Sequence, residues 1–191
     1  MAGSEGLMDY VLKGDVARVK FAREGAAVRR VHAQKIIGEY DVGQHSFGML
    51  CLLRVLYPDA PVALLWAIIA HDLPERLLGD TPRPAFIVLD KRAYSDASDK
   101  ILKGTGFWET LSRQDQRWLS SLDICEFYLW TLDQENLGNR IMTKMRRRVE
   151  LWFSKEAHEA MTGRAYNFMK EIINGASSNP DYWDPINELG E

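Results

Sequence analysis

The chain has 191 residues, 46% hydrophobic and 27% charged, the balance of a globular domain of ordinary size. Its 24 Lys and Arg against 27 Asp and Glu leave a formal net charge of −3, which argues against a protein devoted to neutralising nucleic-acid phosphates or lying on anionic membrane. The longest apolar stretch, Ala60 to Ala70, falls well short of the ~20 residues that cross a bilayer as a helix, so no membrane span is expected.

Helical periodicity prevails and strand-like alternation is scarce, so the predicted fold class is all-α, a compact helical bundle forming a single domain over residues 1–191. Glu5 to Leu12 reads as a short helix ended near Gly14, and Asp15 to Arg23 as a second that stops at Glu24-Gly25. A connector carrying Arg29, Arg30 and His32 follows. Gln44 to Leu56 places Phe47, Met49, Leu50, Leu52, Leu53 and Leu56 on one wide buried face. Pro61 suits the first turn of the next helix, Val62 to Ala70, which is apolar all round and is expected at the centre of the core. Pro74 forbids smooth continuation because its ring would clash with the carbonyl of Ala70, so this helix stops or kinks at His71-Asp72.

Gly79-Asp80-Thr81-Pro82-Arg83-Pro84 is dense in turn residues and reads as a loop. Phe86 to Leu102 reads as a helix closed by Lys103-Gly104, and Gln114 to Leu137 as a mostly buried one ending at Gly138. Asn139 to Asn174 gives one long helix or two with a break near Gly163. The tail from Gly175, with Tyr182 and Trp183, shows little periodicity and is expected to wrap the surface or partner another chain. Cys51 and Cys125 each sit in an apolar run and are expected as buried free thiols. The start, Met-Ala-Gly-Ser-Glu, lacks a basic segment followed by an apolar one, so a cytoplasmic location is expected.

Polar residues inside apolar helices carry the chemical signal. His45 shares a face with Met49 and Leu52, and His71 and Asp72 close the most hydrophobic helix. Asp123 lies among Leu119, Leu122, Ile124, Phe127 and Trp130. An ionised carboxylate at such a position costs several kcal/mol unless a cation or donors meet it. Two imidazoles and two carboxylates without thiolate form the donor set of one divalent transition metal such as Mn, Fe, Co, Ni or Zn. A core histidine bonded to a backbone carbonyl and an aspartate in an ion pair or cap explain the same residues without a metal, and sequence alone leaves both readings open.

Residues 28 to 84 resemble the HD-domain metal-dependent phosphohydrolases, and within them the small 5′-deoxynucleotidase group with its phage relatives. The segments that carry the resemblance are Val28-Arg-Arg-Val-His32, Val42-Gly-Gln-His-Ser46, His71-Asp-Leu-Pro-Glu-Arg-Leu-Leu-Gly-Asp-Thr-Pro82 and, later, Ser121-Leu-Asp-Ile-Cys-Glu-Phe-Tyr-Leu129. With weaker similarity from Asn139 onward, the match spans about residues 28–155, and the tail of about 175–191 lies beyond it. The resemblance implies an HD-type helical bundle whose metal ligands are His45, His71, Asp72 and Asp123. It implies Glu75 as the acid or base beside the metal and Arg30 as the phosphate-gripping guanidinium. His32 then touches phosphate or sugar, and Asp80 and Pro82 belong to the loop near the sugar and base. Glu75 paired with Arg76 or Arg83, a solvated Arg29-Arg30 pair and Asp80 as a turn residue are the plain alternatives.

Two positions depart from the family pattern. Val31 stands where an aromatic residue often packs against deoxyribose, and Gln44 where a glutamate usually precedes the first ligand. The activity implied is removal of phosphate from deoxynucleoside 5′-phosphates, with deoxynucleoside triphosphate triphosphohydrolysis, for example dATP-directed, as the nearest alternative. From a different class comes a non-catalytic, metal-stabilised interaction module. The implied partners are a deoxynucleotide and further copies of the chain, as a homodimer or larger homo-oligomer, with neither duplex nucleic acid nor membrane; a phage-encoded protein would work in the host cytoplasm. Lys144-Met-Arg-Arg-Arg148 spreads its charges around a helix at 100° per residue, so a solvated face is expected there.

Overall fold

The structure, a computed structural model, describes residues 12–179 and Tyr182. The predicted helix Glu5–Leu12, apart from Leu12, and Trp183 in the tail lie outside the described residues. The fold is all-α: α1 (Asp15–Ala26), α2 (Val42–Leu56), α3 (Val62–Ala70), α4 (Glu75–Leu78), a 3-10 turn (Arg83–Ile87), α5 (Lys91–Thr105), α6 (Arg113–Asn136), α7 (Met142–Ala160) and α8 (Gly163–Ser178). The described residues hold no strand, only an isolated antiparallel bridge of Arg29 with Asp41. They gather into two compact units. The first comprises residues 12–34, 38–50 and 59–111, and the second 35–37, 51–58 and the described residues from 112 onward.

In the first unit Phe21 of α1, Ala70 and Leu73 around the end of α3, and Ile101 and Leu102 of α5 form a buried cluster with Leu12, against which Ala22, Leu78 and Phe107 pack. Apolar area leaving water at about 25 cal/mol per Å² drives this association. The end of α3 follows from Pro74. Proline has no N–H for the carbonyl of Ala70, and Leu73 N–H bonds that carbonyl instead, at 3.0 Å, which turns the chain through His71 and Asp72 into α4.

The second unit is built on α6, α7 and α8. Ser112 caps α6, its hydroxyl oxygen accepting from Asp115 N–H at 3.1 Å. Tyr57 stacks on Trp118 and Phe153 on Tyr166, with ring centroids 5.0 and 4.8 Å apart. The break anticipated near Gly163 is present, so α7 and α8 are separate helices. Helix α8 runs on to Ser178, past the expected helix end at Asn174, so the tail from Gly175 begins as helix; beyond Asn179 only Tyr182 is described, its ring lying against Gly175 and its N–H donating to Asn179 O at 3.1 Å.

Several expectations need correcting. Helix α3 is not buried all round: Leu64, Ala67, Ile68 and Ala70 face the core, while Val62, Leu65 and Trp66 are 66%, 37% and 50% exposed. Phe47 of α2 is 69% exposed. An apolar residue satisfies the pattern of a buried face wherever it stands, and these four lie on the outward side. Helix α5 starts at Lys91, not Phe86, because Asp90 accepts from the N–H groups of Arg92 and Ala93, and it runs past Gly104 to a left-handed cap at Gly106, φ 75°. Cys51 is exposed, and only Cys125 is buried. In the basic cluster Lys144, Arg147 and Arg148 are exposed as expected, but Arg146 is half-buried and ion-paired with Glu135 and Glu150. Tyr128 Oη donates to the same Glu150 at 2.8 Å.

Gly25 of α1 faces the turn after α3 at very short range. A Cβ there would lie 2.9 Å from Leu73 Cδ2 and 3.2 Å from both Leu73 Cα and Leu73 O. Two of those three atoms are main chain and cannot swing aside. In an open helix Gly→Ala stabilises by about 1 kcal/mol, so the sign of the effect reports this contact. Gly25→Ala is expected to destabilise by about 1–3 kcal/mol in chemical denaturation; a variant as stable as the parent would disprove the close approach.

Candidate metal and acid site

The bridge between Arg29 and Asp41 organises the connector before α2. Arg30 N–H donates to Tyr40 O at 2.9 Å and Val42 N–H to Val28 O at 3.0 Å, so alternate side chains point to opposite faces. Arg29 turns outward to Glu39 at 2.6 Å. Arg30 turns inward, its side chain 13% exposed, and hydrogen-bonds Oδ2 of Asp72. The two adjacent arginines thus have different roles, and only Arg29 fits a solvated pair.

Helix α2 then brings in His45, which is fully buried, and the turn after α3 brings in His71 and Asp72. His71 Nδ1 lies 2.8 Å from Ile68 O. A carbonyl only accepts, so Nδ1 carries the hydrogen and Nε2 is the nitrogen directed at Asp72, 3.2 Å from Oδ2. Tyr40 Oη meets His45 Nδ1 at 3.1 Å, and His45 Nε2 lies 3.8 Å from the same Oδ2. One ligand atom from each of His45, His71 and Asp72 lies within 4.8 Å of the other two, so this group could hold a metal ion. The donor chemistry fits: two imidazoles, each with its Nδ1 engaged by a hydrogen-bonding partner, and a carboxylate make an N,N,O set suited to a divalent transition metal.

The charges converging on Asp72 decide its ionisation. Burial alone would raise its pKa, but the positive field and hydrogen bond of His71, followed by Arg30 and His45, hold it well below the ordinary carboxylate range. Glu75, one turn further on, is pushed up to about 8, first by burial and then by the negative charge of Asp72, with Arg30 pulling the other way. Its Oε2 is wholly buried and has no hydrogen-bond partner. Arg76, the alternative partner, is engaged elsewhere: its Nε donates to Glu24 at 2.6 Å and its guanidinium stacks on Phe21. Two carboxylates three positions apart thus prefer opposite protonation states.

The Gly79–Pro82 loop closes on the connector. Asp80 Oδ2 accepts from Val31 N–H at 2.6 Å and lies 3.2 Å from His32 Nδ1. Val31 has φ 55°, an uncommon conformation for a β-branched residue, and in it the N–H reaches Asp80. Pro82 precedes the 3-10 turn with φ −57°. Gln44 does not partner His45; its side chain is exposed and its N–H bonds Asp41 Oδ1 at 2.7 Å.

Of the sequence-derived residues, His45, His71, Asp72, Arg30 and Glu75 come together in the first unit, with Val31, His32 and Asp80 forming a linked group beside them. Asp123 stands in the middle of α6, in the second unit, and is half-buried where full burial was expected; His71 and Asp72 are half-buried too. Tyr40 and Tyr94 were missed. Tyr40 is buried against His45 and under Arg30, and Tyr94 Oη reaches Gly79 O at 3.4 Å. No family model matches the chain, and no curated protein matches it.

The raised pKa of Glu75 has a thermodynamic consequence. Between its ordinary value of 4.5 and about 8, the folded chain keeps a proton that the unfolded chain has released. Unfolding therefore sheds a proton across that window, and the stabilisation linked to Glu75, complete below 4.5, is lost as pH rises through about 8. Glu75→Gln removes this dependence. In chelator-treated protein, the thermal midpoint of Glu75→Gln is expected to climb relative to the parent as pH goes from about 5 to about 8. Parallel curves would show that Glu75 ionises normally.

Proposed function

We propose that this chain is a metal-dependent phosphohydrolase that removes phosphate from deoxynucleoside 5′-phosphates. The observation that carries the reading is Glu75: a carboxyl with one buried, unpartnered oxygen and a strongly raised pKa, beside a His-His-Asp group able to hold a metal. Stability gives no reason to bury such an oxygen unsatisfied. The resemblance to the HD phosphohydrolases supports the same assignment from the order of the residues along the chain.

His45, His71 and Asp72 would hold the cation, and when bound it would supply Lewis acidity towards a phosphoryl oxygen. Arg30 offers a planar guanidinium at the same place, suited to two phosphate oxygens. Glu75, protonated near neutral pH, has a proton to give to the departing 5′-oxygen as the P–O bond breaks, and once ionised it can take one from the attacking water. Asp80, oriented by Val31 N–H and His32, presents an acceptor towards a sugar hydroxyl.

Release of phosphate and polyphosphate from deoxy- and ribonucleoside mono-, di- and triphosphates, after metal stripping and resupply with Co, Mn, Ni, Zn or Mg, tests the reading and separates nucleotidase from triphosphohydrolase. Metal-dependent turnover of deoxynucleotides is expected. Glu75→Gln should lower kcat by about 10²–10⁴ while still binding metal, and Arg30→Ala should lower kcat/KM at least about tenfold. Turnover of none of these nucleotides would sink the proposal, and a fully active Glu75→Gln would remove Glu75 from it.

A further inference from the structure

One side chain at the Gly79–Thr81 loop has no part in the scheme above. Tyr94 lies in the first turn of α5, where the Asp90 cap fixes the start of the helix. Its ring meets Phe86 edge-on, with centroids 5.2 Å apart. Its hydroxyl reaches back to the carbonyl of Gly79 at 3.4 Å, and Thr81 Oγ1 is directed at that carbonyl from the same distance. Both contacts are long for O–H···O bonds, whose usual length is about 2.7–2.8 Å, so a well-placed acceptor would draw the Tyr94 hydroxyl away.

The surroundings select what that acceptor is. Burial, together with the negative charges of Asp72 and Asp80 and that of Glu75 once it ionises, raises the pKa of the phenol against the opposing effect of the Thr81 hydroxyl, so it remains a neutral donor. A phosphate at this end of the site would face the Asp80 carboxylate and be repelled. An alcohol would not: its hydrogen can go to Asp80, and its oxygen can accept from Tyr94. Arg30, paired with Asp72, provides the cationic end for phosphate. A ligand spanning the two ends therefore carries an anionic group at Arg30 and a hydroxyl at the loop.

We propose that Tyr94 is a substrate-binding residue of this site, donating its hydroxyl hydrogen to a sugar oxygen of a nucleoside phosphate whose phosphate lies at Arg30. The inference rests on the nucleotide reading above and adds the residue that holds the sugar.

Tyr94→Phe keeps the ring and removes the donor. KM for the deoxynucleoside monophosphate and the inhibition constant of the free deoxynucleoside are expected to rise about three- to tenfold. The effect on kcat should be smaller, and inhibition by inorganic phosphate and the thermal midpoint should not change. Tyr94→Leu, which also removes the ring, should show at least the same loss of deoxynucleoside affinity. Unchanged KM and deoxynucleoside inhibition in an active enzyme overturn this inference alone. Weaker inhibition by phosphate would assign the hydroxyl to the phosphate, and a lower thermal midpoint with parallel loss of kcat would make it a loop tether; either result overturns the sugar contact. A wild-type chain that neither turns over a nucleotide nor binds a deoxynucleoside overturns the nucleotide reading and this inference together.

Discussion

The missing N–H of Pro74 is the constraint on which the site depends. Because Ala70 O cannot be met by residue 74, Leu73 takes it, and α3 ends at Ala70, four residues before the proline. That turn brings His71 and Asp72 out of the core wall but not into open solvent, with Leu73 packed against Gly25 as the anchor. A helix continued for another turn would carry both polar residues along its own surface and offer the carboxylate no convergent donors. The short helix α4 then places Glu75 in contact range of Asp72, its N–H on Asp72 O at 3.0 Å.

Within that turn, electrostatics divides the labour between two chemically similar groups. Asp72 has His71, Arg30 and His45 around it and stays ionised; Glu75, with its Oε2 lacking any donor, stays protonated. Neither environment arises from one neighbour. Arg30 acts on both, lowering the pKa of each, and burial raises both; what separates them is the pair of imidazoles aimed at Asp72 and the negative charge that Asp72 then presents to Glu75. Pairs of titratable groups driven apart in this way are the usual arrangement of an acid beside a charged partner.

Much of this was legible in the residues, and the parts that were not have physical reasons. Pro61, at the N-cap, and Pro74, four residues beyond Ala70, bound α3, because proline acts on the backbone regardless of tertiary context. His45, His71 and Asp72 stood out as polar groups in apolar helices, where the cost of burial demands a partner. The outward faces of α3 and α2 were illegible, since a helix apolar all round has no pattern to say which side meets the core. The start of α5 was misread because Phe86, Ile87 and Leu89 continue a helical spacing through a 3-10 turn, while the decisive signal was the cap, Asp90. Tyr40 and Tyr94 left no trace in the pattern. Tyr40 reaches His45 from five residues away and Tyr94 reaches Gly79 from fifteen, and only the folded path of the connector and the loop shows where each hydroxyl arrives.

The two cysteines, alike in sequence context, differ in the fold in a way that makes the protein its own reporter. Cys51 is exposed, whereas the Cys125 thiol is buried, pushed up to about 12 chiefly by that burial, with Asp123 adding to it. The nucleophile in alkylation is the thiolate, so Cys125 is protected twice, by access and by protonation. A thiol reagent added to the native chain should therefore modify one site promptly and the other only when α6 opens. The rate of that second modification measures how often this helix comes apart under native conditions, with neither denaturant nor any engineered label.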